Sequence, residues 1–455
     1  MSGFFYYLVA FALILGVLVI VHEYGHYIVA RSLGVKVLRF SVGFGRIVWS
    51  RRLGRDRTEW AIALFPLGGY VKMLDEREGP VAPEELPRSF NRQSVWRRMA
   101  IVAAGPIANL LLAIVVYWGL FSYGSEELRP VLGTPVAASA AAAAGIENGE
   151  RVLKVGGEAV QTWQDMRWLL LRAATDKDAV EFEVINPRSE IAIRRLDLAA
   201  VKAQGWEGDA LEKLGIAFYR PRIAPVLGTL TAGSPAADAG LRPDDEVVLI
   251  DGKPIATWSE VVIAVRDSPG KRLEFVVLRR GERQAVAITP ATARDKGQTI
   301  GRIGAGVKDA GRSRSEQLIT VRYGPAAALG KAIAETWDKS VFSLVMIGKM
   351  ITGEVSWRNI SGPVTIADYA GQSAKLGITY YLKFLALVSI SLAVLNLLPI
   401  PILDGGHLLY YVVEIVKRRP LSERAMEIGQ QIGLGLLCVL MAFAFYNDIN
   451  RLISG

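Results

Sequence analysis

The chain has 455 residues, 51% of them hydrophobic, and its 53 Lys and Arg against 44 Asp and Glu give a formal net charge of +9. It is too long for one domain and too apolar for an ordinary soluble protein. Its single cysteine, Cys438, excludes an intrachain disulfide. The positive charge fits the cytoplasmic side of a membrane protein in contact with lipids. Because no aromatic residues interleave with the arginines, nucleic acid is not an expected partner.

The first predicted element is an apolar helix over residues 1–34. It begins with 18 uncharged residues from Phe4 and continues into the stretch HEYGH. About 20 apolar residues are enough for a helix to cross a bilayer. No lysine or arginine precedes the apolar core and no small-residue cleavage site follows it. We therefore expect a membrane span and not a signal peptide.

Three polar residues, His22, Glu23 and His26, lie at the end of this predicted span. Histidines at positions i and i+4 lie about 40° apart around a helix, so both imidazoles can reach one metal ion. The pattern His-Glu-x-x-His is typical of a zinc site in which the glutamate is the general base. The alternative is a pair of packing histidines with Glu23 bonded to a neighbouring helix.

A basic segment over residues 35–98 follows, with 13 Lys and Arg against 7 Asp and Glu. The positive-inside rule places it on the cytoplasmic side. Alternating apolar residues in EWAIALF (59–65) predict a strand. An edge strand there could accept an extended substrate as an added strand, or it could be purely structural. The second predicted span, 99–123, contains 21 residues without a charge from Ile101.

The long segment after the second span contains an internal repeat. The stretches AAAAGIENGERVLKVGGEAVQTW (141–163) and AADAGLRPDDEVVLIDGKPIATW (236–258) align without a gap at an offset of 95 residues. Apolar alternation between Gly and Asp turn signals predicts paired strands. We expect two similar α+β domains of common size, over 124–221 and 222–312.

The repeat resembles PDZ domains, and each copy is followed by a short Gly-apolar signal, LGIAF at 214–218 and IGAGV at 303–307. In PDZ domains such a strand edge holds a peptide C-terminus by strand addition and backbone N–H groups. The resemblance implies one groove lined by Gly215 and Ile216 and another lined by Gly304 and Ala305. The second groove looks the weaker, because Ala305 offers little to grip. The alternative is that these glycines only shape strand turns.

After the repeats, residues 325–371 open with apolar residues every four positions, interrupted by lysines. This pattern predicts a helix at the membrane surface, or a buried core helix of the outer domain. The third predicted span covers 378–416 and the fourth covers 426–447. The link between them reads KRRPLSER and is placed on the cytoplasmic side, like residues 35–98.

The third span contains the stretch NLLPIPILDGGH at 396–407. Pro399 and Pro401 interrupt helical hydrogen bonding, and irregular backbone at membrane depth requires a covering of protein or a cavity. Catalytic zinc takes three protein ligands, so two histidines leave one ligand missing. We expect Asp404 to be that ligand, with His407 as the rival candidate.

These motifs together resemble the site-2 protease family of intramembrane zinc metalloproteases. The resemblance rests on HEYGH in a first span, LLPIPILDGG in a third, and PDZ-like repeats between the second and third. The stretches SVGFGRIVWS, ALFPLGGYVKM, AAGPIAN and NISGP extend it along essentially the whole chain. The paired PDZ-like copies point to the bacterial regulator-of-sigma-E branch. The implied fold is a polytopic α-helical membrane protein with four transmembrane helices, two extramembrane PDZ-like α+β domains and a membrane-associated β-hairpin.

The resemblance also implies roles for individual residues. His22, His26 and Asp404 would bind Zn²⁺, and Glu23 would take a proton from the attacking water and pass it to the leaving amine. Asn396 matches a family asparagine that contacts substrate, and we expect Pro399 and Pro401 to border the substrate with it. Asn109, in AAGPIAN of the second span, is a weaker candidate for such contact and is better explained as a helix–helix contact.

The implied function is zinc-dependent cleavage inside the transmembrane segment of single-span membrane proteins, in the bacterial inner membrane. The expected substrates are an anti-sigma factor and leftover signal peptides. The PDZ-like domains would be periplasmic and would filter substrates by size or sense a new C-terminus. The alternatives are a non-catalytic, membrane-anchored PDZ scaffold that holds zinc, and a metal transporter. A scaffold has no need of Glu23, and a transporter should carry more intramembrane ligands.

Overall fold

The computed structural model describes residues 2–199, 201, 210–219, 223–295, 298–308, 317–357 and 360–454. The predicted boundary between the two repeats at 221 and 222, the predicted end of the second at 312, and Asn359 of the NISGP stretch lie outside these residues. The chain forms two compact units. The first is built from Met1–Ser125 and Val321–Gly455, and the second from Glu126–Ala203 and Asp209–Thr320.

The first unit consists mainly of long helices. They are α1 (Ser2–Ser32), α2 (Val95–Tyr123), α8 (Pro325–Ile351), α9 (Pro363–Leu376), α10 (Ile378–Leu397), α11 (Asp404–Lys417) and α12 (Glu423–Ser454). Among the described residues, four stretches are long and apolar enough to cross a membrane, namely Phe5–Ser32, Val95–Tyr123, Ile378–Leu397 and Arg424–Arg451. The prediction of a membrane protein with four such helices and additional β-sheet regions is therefore confirmed.

The third apolar helix ends earlier than its apolar run suggests. We predicted one span over 378–416, but α10 ends at Leu397 and α11 begins only at Asp404. Pro399 and Pro401 lie in the connection, where neither can donate a helical hydrogen bond. Ile402 has a φ of 92°, a left-handed conformation that is strained for a β-branched residue.

Helix α8 belongs to the unit that contains the apolar helices. Its Ala332 is fully buried in a cluster with Ala113 and Tyr117 of α2 and Ala386 of α10. The Lys339 ammonium lies 5.2 Å from the centre of the Tyr117 ring. The alternative prediction, a core helix of the outer repeats, is therefore wrong.

The predicted hairpin is formed by β1 (Val37–Leu53) and β2 (Thr58–Met73). Its register is irregular, because residues 39–42 pair both with 69–72 and with 59–62. Gly43 and Gly45 both have positive φ where the strand bends. Val48 and Trp49, with exposures of 67% and 50%, leave part of the hairpin apolar and uncovered.

The second unit contains the two copies of the repeat. The first copy has β4 (Arg151–Val155), β5 (Glu158–Ala159), α4 (Trp163–Ala174), β6 (Ala179–Ile185) and β7 (Ile191–Asp197). The second copy has β9 (Glu246–Ile250), β10 (Lys253–Pro254), α7 (Trp258–Arg266), β11 (Leu273–Arg279) and β12 (Glu282–Ile288). The sheet orders β5-β4-β6-β7 and β10-β9-β11-β12 are equivalent, with Phe182 and Phe275 fully buried in their cores. The repeat in the sequence is thus a repeat in the fold.

Shorter elements lie before, between and after these sheets along the chain. They are β3 (Ser125–Leu128), α3 (Ala140–Ala143), α5 (Ala210–Lys213), β8 (Leu227–Leu230), α6 (Pro235–Asp238), β13 (Ala291–Asp295), β14 (Gln298–Arg302), β15 (Ala305–Val307) and β16 (Leu318–Val321).

Candidate metal centre

Three side chains from two distant parts of the chain converge in the first unit. His22 and His26 lie one turn apart on α1, and Asp404 is the first residue of α11. Asp404 Oδ2 lies 3.1 Å from His22 Nε2 and 3.5 Å from His26 Nε2. The two Nε2 atoms are 3.3 Å apart. The three side chains are only 11–18% exposed.

This triangle of atoms has the dimensions of a metal site. A tetrahedral ion with ligand distances of about 2.0–2.1 Å separates its ligands by about 3.4 Å. His26 Nδ1 donates a hydrogen bond to the Ile101 carbonyl at 2.8 Å, so its Nε2 can present a lone pair to the triangle. Asp404 Oδ2 is buried and has no hydrogen bond of good geometry in the described part of the chain. Two ring nitrogens and a carboxylate oxygen so placed fit a divalent cation between them.

The rival ligand, His407, is not part of this triangle. The set of ligand atoms that lie within 4.8 Å of one another comprises those of His22, His26 and Asp404. His407 lies one turn further along α11, where its ring contacts Tyr410 edge to face at 6.1 Å. Of the two candidates for the third ligand, the structure brings Asp404 to the histidines.

Glu23 lies beside the triangle and next to the hairpin. Its carboxylate interacts electrostatically with His26, His22 and Asp404. On its other side, a Cβ added to Gly69 of β2 would stand 2.8 Å from Glu23 Cγ. The strand backbone therefore passes close to the proposed base, and only a glycine permits this approach.

Helix α2 also contributes residues to the centre, and this contribution was not predicted from the sequence. A Cβ at Gly105 would stand 2.3 Å from His26 Nε2 and 2.9 Å from His22 Cε1. One turn later, Asn109 is fully buried, with its amide Nδ2 placed 3.3 Å from His22 Nδ1. The signal was present in AAGPIAN, because Gly105 and Asn109 are spaced i and i+4 and share one helix face.

The other predicted site residues of this unit lie along the break before α11. Asn396 lies in the last turn of α10 and is partly buried, while Pro399 and Pro401 lie in the connection. A Cβ at Gly405 would stand 2.1 Å from the Leu398 carbonyl oxygen. This close contact folds the connection back over the start of α11, which fixes the position of Asp404.

The predicted groove residues lie in the second unit. Gly215 and Gly304 both have positive φ, of 74° and 71°. An added Cβ would meet Ser139 at 2.2 Å in the first copy and Ser234 at 2.4 Å in the second. A turn and a close contact thus explain the two glycines. Ile216 is 6% exposed, whereas Ala305 is partly exposed and lines a cavity of about 580 Å³.

Comparison with known proteins decides the family. The model of peptidase family M50 matches residues 10–440. The chain belongs to peptidase family M50. Regulator of sigma-E protease RseP of Escherichia coli K12 is 41% identical over 99% of this chain and 100% of its own length. The protein of the same name from Salmonella typhimurium is 43% identical over 98% of each chain.

Other relatives agree with this assignment. A Neisseria meningitidis protein, whose name gives zinc metalloprotease as its inferred activity, is 44% identical over 98% of this chain and 99% of its own length. A solution structure from Geobacillus thermodenitrificans covers 18% of this chain and 93% of its own at 22% identity, with a TM-score of 0.16 that supports no comparison of folds. The chain is therefore a metalloendopeptidase of the site-2 protease type that acts in regulated intramembrane proteolysis. A non-catalytic scaffold is not favoured.

Proposed function

We propose that His22, His26 and Asp404 hold one Zn²⁺ ion and that Glu23 is the general base for peptide-bond hydrolysis at membrane depth. The observation that carries this proposal is the triangle of two imidazole nitrogens and one carboxylate oxygen, with sides of 3.1–3.5 Å. Ionisable side chains are costly to place in an apolar helix bundle, so a cluster of them there indicates a functional site.

The side chains around the triangle have distinct chemical tasks. The bound zinc ion would supply Lewis acidity to water and to the scissile carbonyl. Glu23 accepts the proton of the attacking water and delivers it to the leaving amine. The Asn396 amide, with Pro399 and Pro401 beside it, bonds the substrate backbone where its helix has unwound. The backbone of β2 near Gly69 presents an extended segment to Glu23 by strand addition.

The substrate class follows from the depth of the site and from the relatives. Two of these are named regulators of sigma-E protease, so we propose an anti-sigma factor with one transmembrane span as a substrate, and leftover signal peptides as others. Carbonyls in an intact helix are already hydrogen-bonded. Favoured substrates therefore carry helix-weakening residues in the span.

The chain is proposed to lie in the bacterial inner membrane, with residues 35–98 facing the cytoplasm and two PDZ-like domains, 124–221 and 222–312, in the periplasm. The copies differ at the groove. In the first, Trp163 of α4 stacks on Phe218 with ring centres 4.1 Å apart. In the second, Trp258 of α7 and Ala305 line the open cavity. This cavity supports the second copy as the one that accepts a peptide segment, contrary to the ranking expected from the sequence.

Metal analysis of the purified protein tests the site. We expect about one zinc per chain in the wild type and in His407→Ala, and close to none in His22→Ala and Asp404→Ala. Loss of zinc in His407→Ala with retention in Asp404→Ala would show that the third ligand is assigned wrongly.

The role of Glu23 is tested separately by Glu23→Gln, which keeps the size of the side chain and removes the base. Zinc content should be unchanged, while cleavage of a single-span substrate should fall by about 10²–10⁴-fold. Cleavage at the wild-type rate would exclude Glu23 as the general base.

A further inference from the structure

The side chain of Asn109 is oriented with a donor where the neighbouring ring needs an acceptor. Asn109 is fully buried on α2, and its Nδ2 lies 3.3 Å from His22 Nδ1. Its Oδ1 is also buried and has no hydrogen-bond partner among the described residues. A buried amide oxygen without a partner is costly and requires an explanation.

The orientation of the His22 ring explains why the Asn109 amide oxygen has no partner. Nε2 of this ring points at Asp404 Oδ2 and at His26 Nε2. A neutral imidazole that presents the lone pair of Nε2 carries its proton on Nδ1, which is then a donor. An amide NH₂ cannot accept that proton. Because amide oxygen and nitrogen are nearly identical in shape, rotating the Asn109 amide by 180° replaces the donor with Oδ1. The same rotation gives the buried oxygen its missing partner.

We propose that Asn109 is a positioning residue that accepts a hydrogen bond from His22 Nδ1 and thereby fixes the ring tautomer needed for metal binding. This inference rests on the proposed function of His22. The second histidine is held in the same way, since His26 Nδ1 bonds the Ile101 carbonyl, also on α2. One face of α2 therefore orients both rings, with a backbone acceptor for one and a side-chain acceptor for the other.

The position of Asn109 is itself fixed by a neighbouring helix. Ser389 Oγ on α10 donates a hydrogen bond to the backbone carbonyl of Asn109 at 2.7 Å, and both residues are fully buried. This bond joins α2 to α10 without touching the His22 ring. Ser389 is thus a matched control, because its loss weakens helix contact at the same position and leaves the acceptor for His22 intact.

Zinc affinity, measured by competition with a chelator in detergent, tests the proposal. Asn109→Leu keeps the approximate size and removes the acceptor, and it should weaken zinc binding by about 10–100-fold. Asn109→Asp restores an acceptor and should recover most of that loss. Ser389→Ala should stay within about twofold of the wild type. Equal losses in Asn109→Leu and Asn109→Asp, including failure of both to fold, would overturn the proposal in favour of a packing role.

The tautomer gives a second readout that does not depend on activity or on metal. The chain has three histidines, so ¹⁵N-histidine labelling gives three ring systems. In the metal-free wild type, we expect a proton on His22 Nδ1, and in Asn109→Leu, where Nδ1 has lost its acceptor, we expect the Nε2–H tautomer that the Asp404 carboxylate favours. An unchanged His22 spectrum in Asn109→Leu contradicts the inference.

The failure of this inference can be told apart from failure of the proposed function. If the wild type binds no zinc through His22, the proposed metal site itself is wrong. If the wild type binds zinc through His22 and Asn109→Leu binds it equally well, only the role of Asn109 is wrong.

Discussion

At the residue scale, Gly105 shows how closely α2 approaches the histidines. The position lacks room for even a methyl group, because His26 Nε2 lies 2.3 Å from the Cβ that any other residue would carry. The His-Glu-x-x-His pattern was readable from the sequence, since i and i+4 spacing fixes two side chains on one face of one helix. The contribution of Gly105 could not be predicted from the sequence, because it depends on how α2 is rotated against α1.

Gly105→Ala should therefore reduce zinc binding strongly. The added methyl group displaces the His26 ring from Asp404, although alanine by itself favours the helix by about 1 kcal/mol. Gly119→Ala on the same helix is the matched control, because nothing lies within 4 Å of its Cβ. The zinc content of the two purified variants tests whether Gly105 must lack a side chain. Equal zinc content would contradict the close contact between Gly105 and His26.

Each copy of the repeat contains a buried carboxylate paired with an arginine. Asp245 receives two hydrogen bonds from Arg279, at 2.6 and 2.7 Å, and Glu150 receives bonds of 2.6 and 3.1 Å from Arg194. Burial alone raises the pKa of the Asp245 carboxyl. The bonds from Arg279 and from the backbone N–H of Arg242 outweigh burial and hold that pKa below its usual value.

A pH dependence of stability follows for the second copy. Because the pKa of Asp245 is lower in the folded state, its contribution is fully present above the unfolded value of about 3.9 and is lost as pH falls through the folded value below that. Hydrogen exchange of peptides covering 246–279 in the full chain, corrected for intrinsic rates, should rise over this acidic range. In Asp245→Asn that rise should be smaller, and an identical rise in both proteins would exclude Asp245 as the cause.

At the element scale, the start of α9 depends on a carboxylate from the far end of the chain. Asp448 of α12 is 2% exposed and accepts bonds from the backbone N–H groups of Gly362, Val364 and Thr365 at 2.8–3.3 Å. The Thr365 hydroxyl adds a fourth bond at 2.6 Å. Negative charge at a helix N-terminus satisfies the free N–H groups and the helix dipole. This pairing could not be predicted from the sequence, because 83–86 residues separate the partners.

We expect Asp448→Asn to destabilise the protein by about 1–3 kcal/mol, because the amide NH₂ faces donors that it cannot satisfy. Thermal unfolding in detergent measures the loss, and hydrogen exchange should locate it in residues 362–376. Asp368→Asn on α9 is the control, since the Asp368 bond to Gln372 is exposed. Equal melting temperatures for the two variants would contradict a capping role for Asp448.

At the scale of the whole molecule, apolar run length and the internal repeat predicted four long helices and two equivalent sheets. Apolar runs and repeated stretches can both be recognised in a single sequence, because neither depends on how distant residues pack. The prolines predicted an interrupted backbone before Asp404, but the end of α10 at Leu397 was missed because apolar composition continues to Leu403. The difference between the two proposed grooves was missed because it depends on Trp163 stacking on Phe218, a contact between an α4 residue and a residue much later in the chain.

The proposed filter makes a prediction about substrates of different size. If the PDZ-like domains exclude bulky partners, the detergent-solubilised protein should cleave a single-span substrate without an outer domain and spare the same span with a folded outer domain attached. Comparing the two initial rates, with Glu23→Gln as the inactive control, measures the selectivity. Equal rates for both substrates would remove the filter hypothesis.

The ligands of the triangle come from residues 22, 26 and 404, so almost the entire chain separates the first two from the third. At about 5–20 residues per second, translation needs on the order of 20–80 s to travel that distance. During this interval the growing chain contains the proposed base and both imidazoles but lacks the Asp404 carboxylate. A chain that is still being synthesised therefore cannot yet hold the proposed ion with all three side chains.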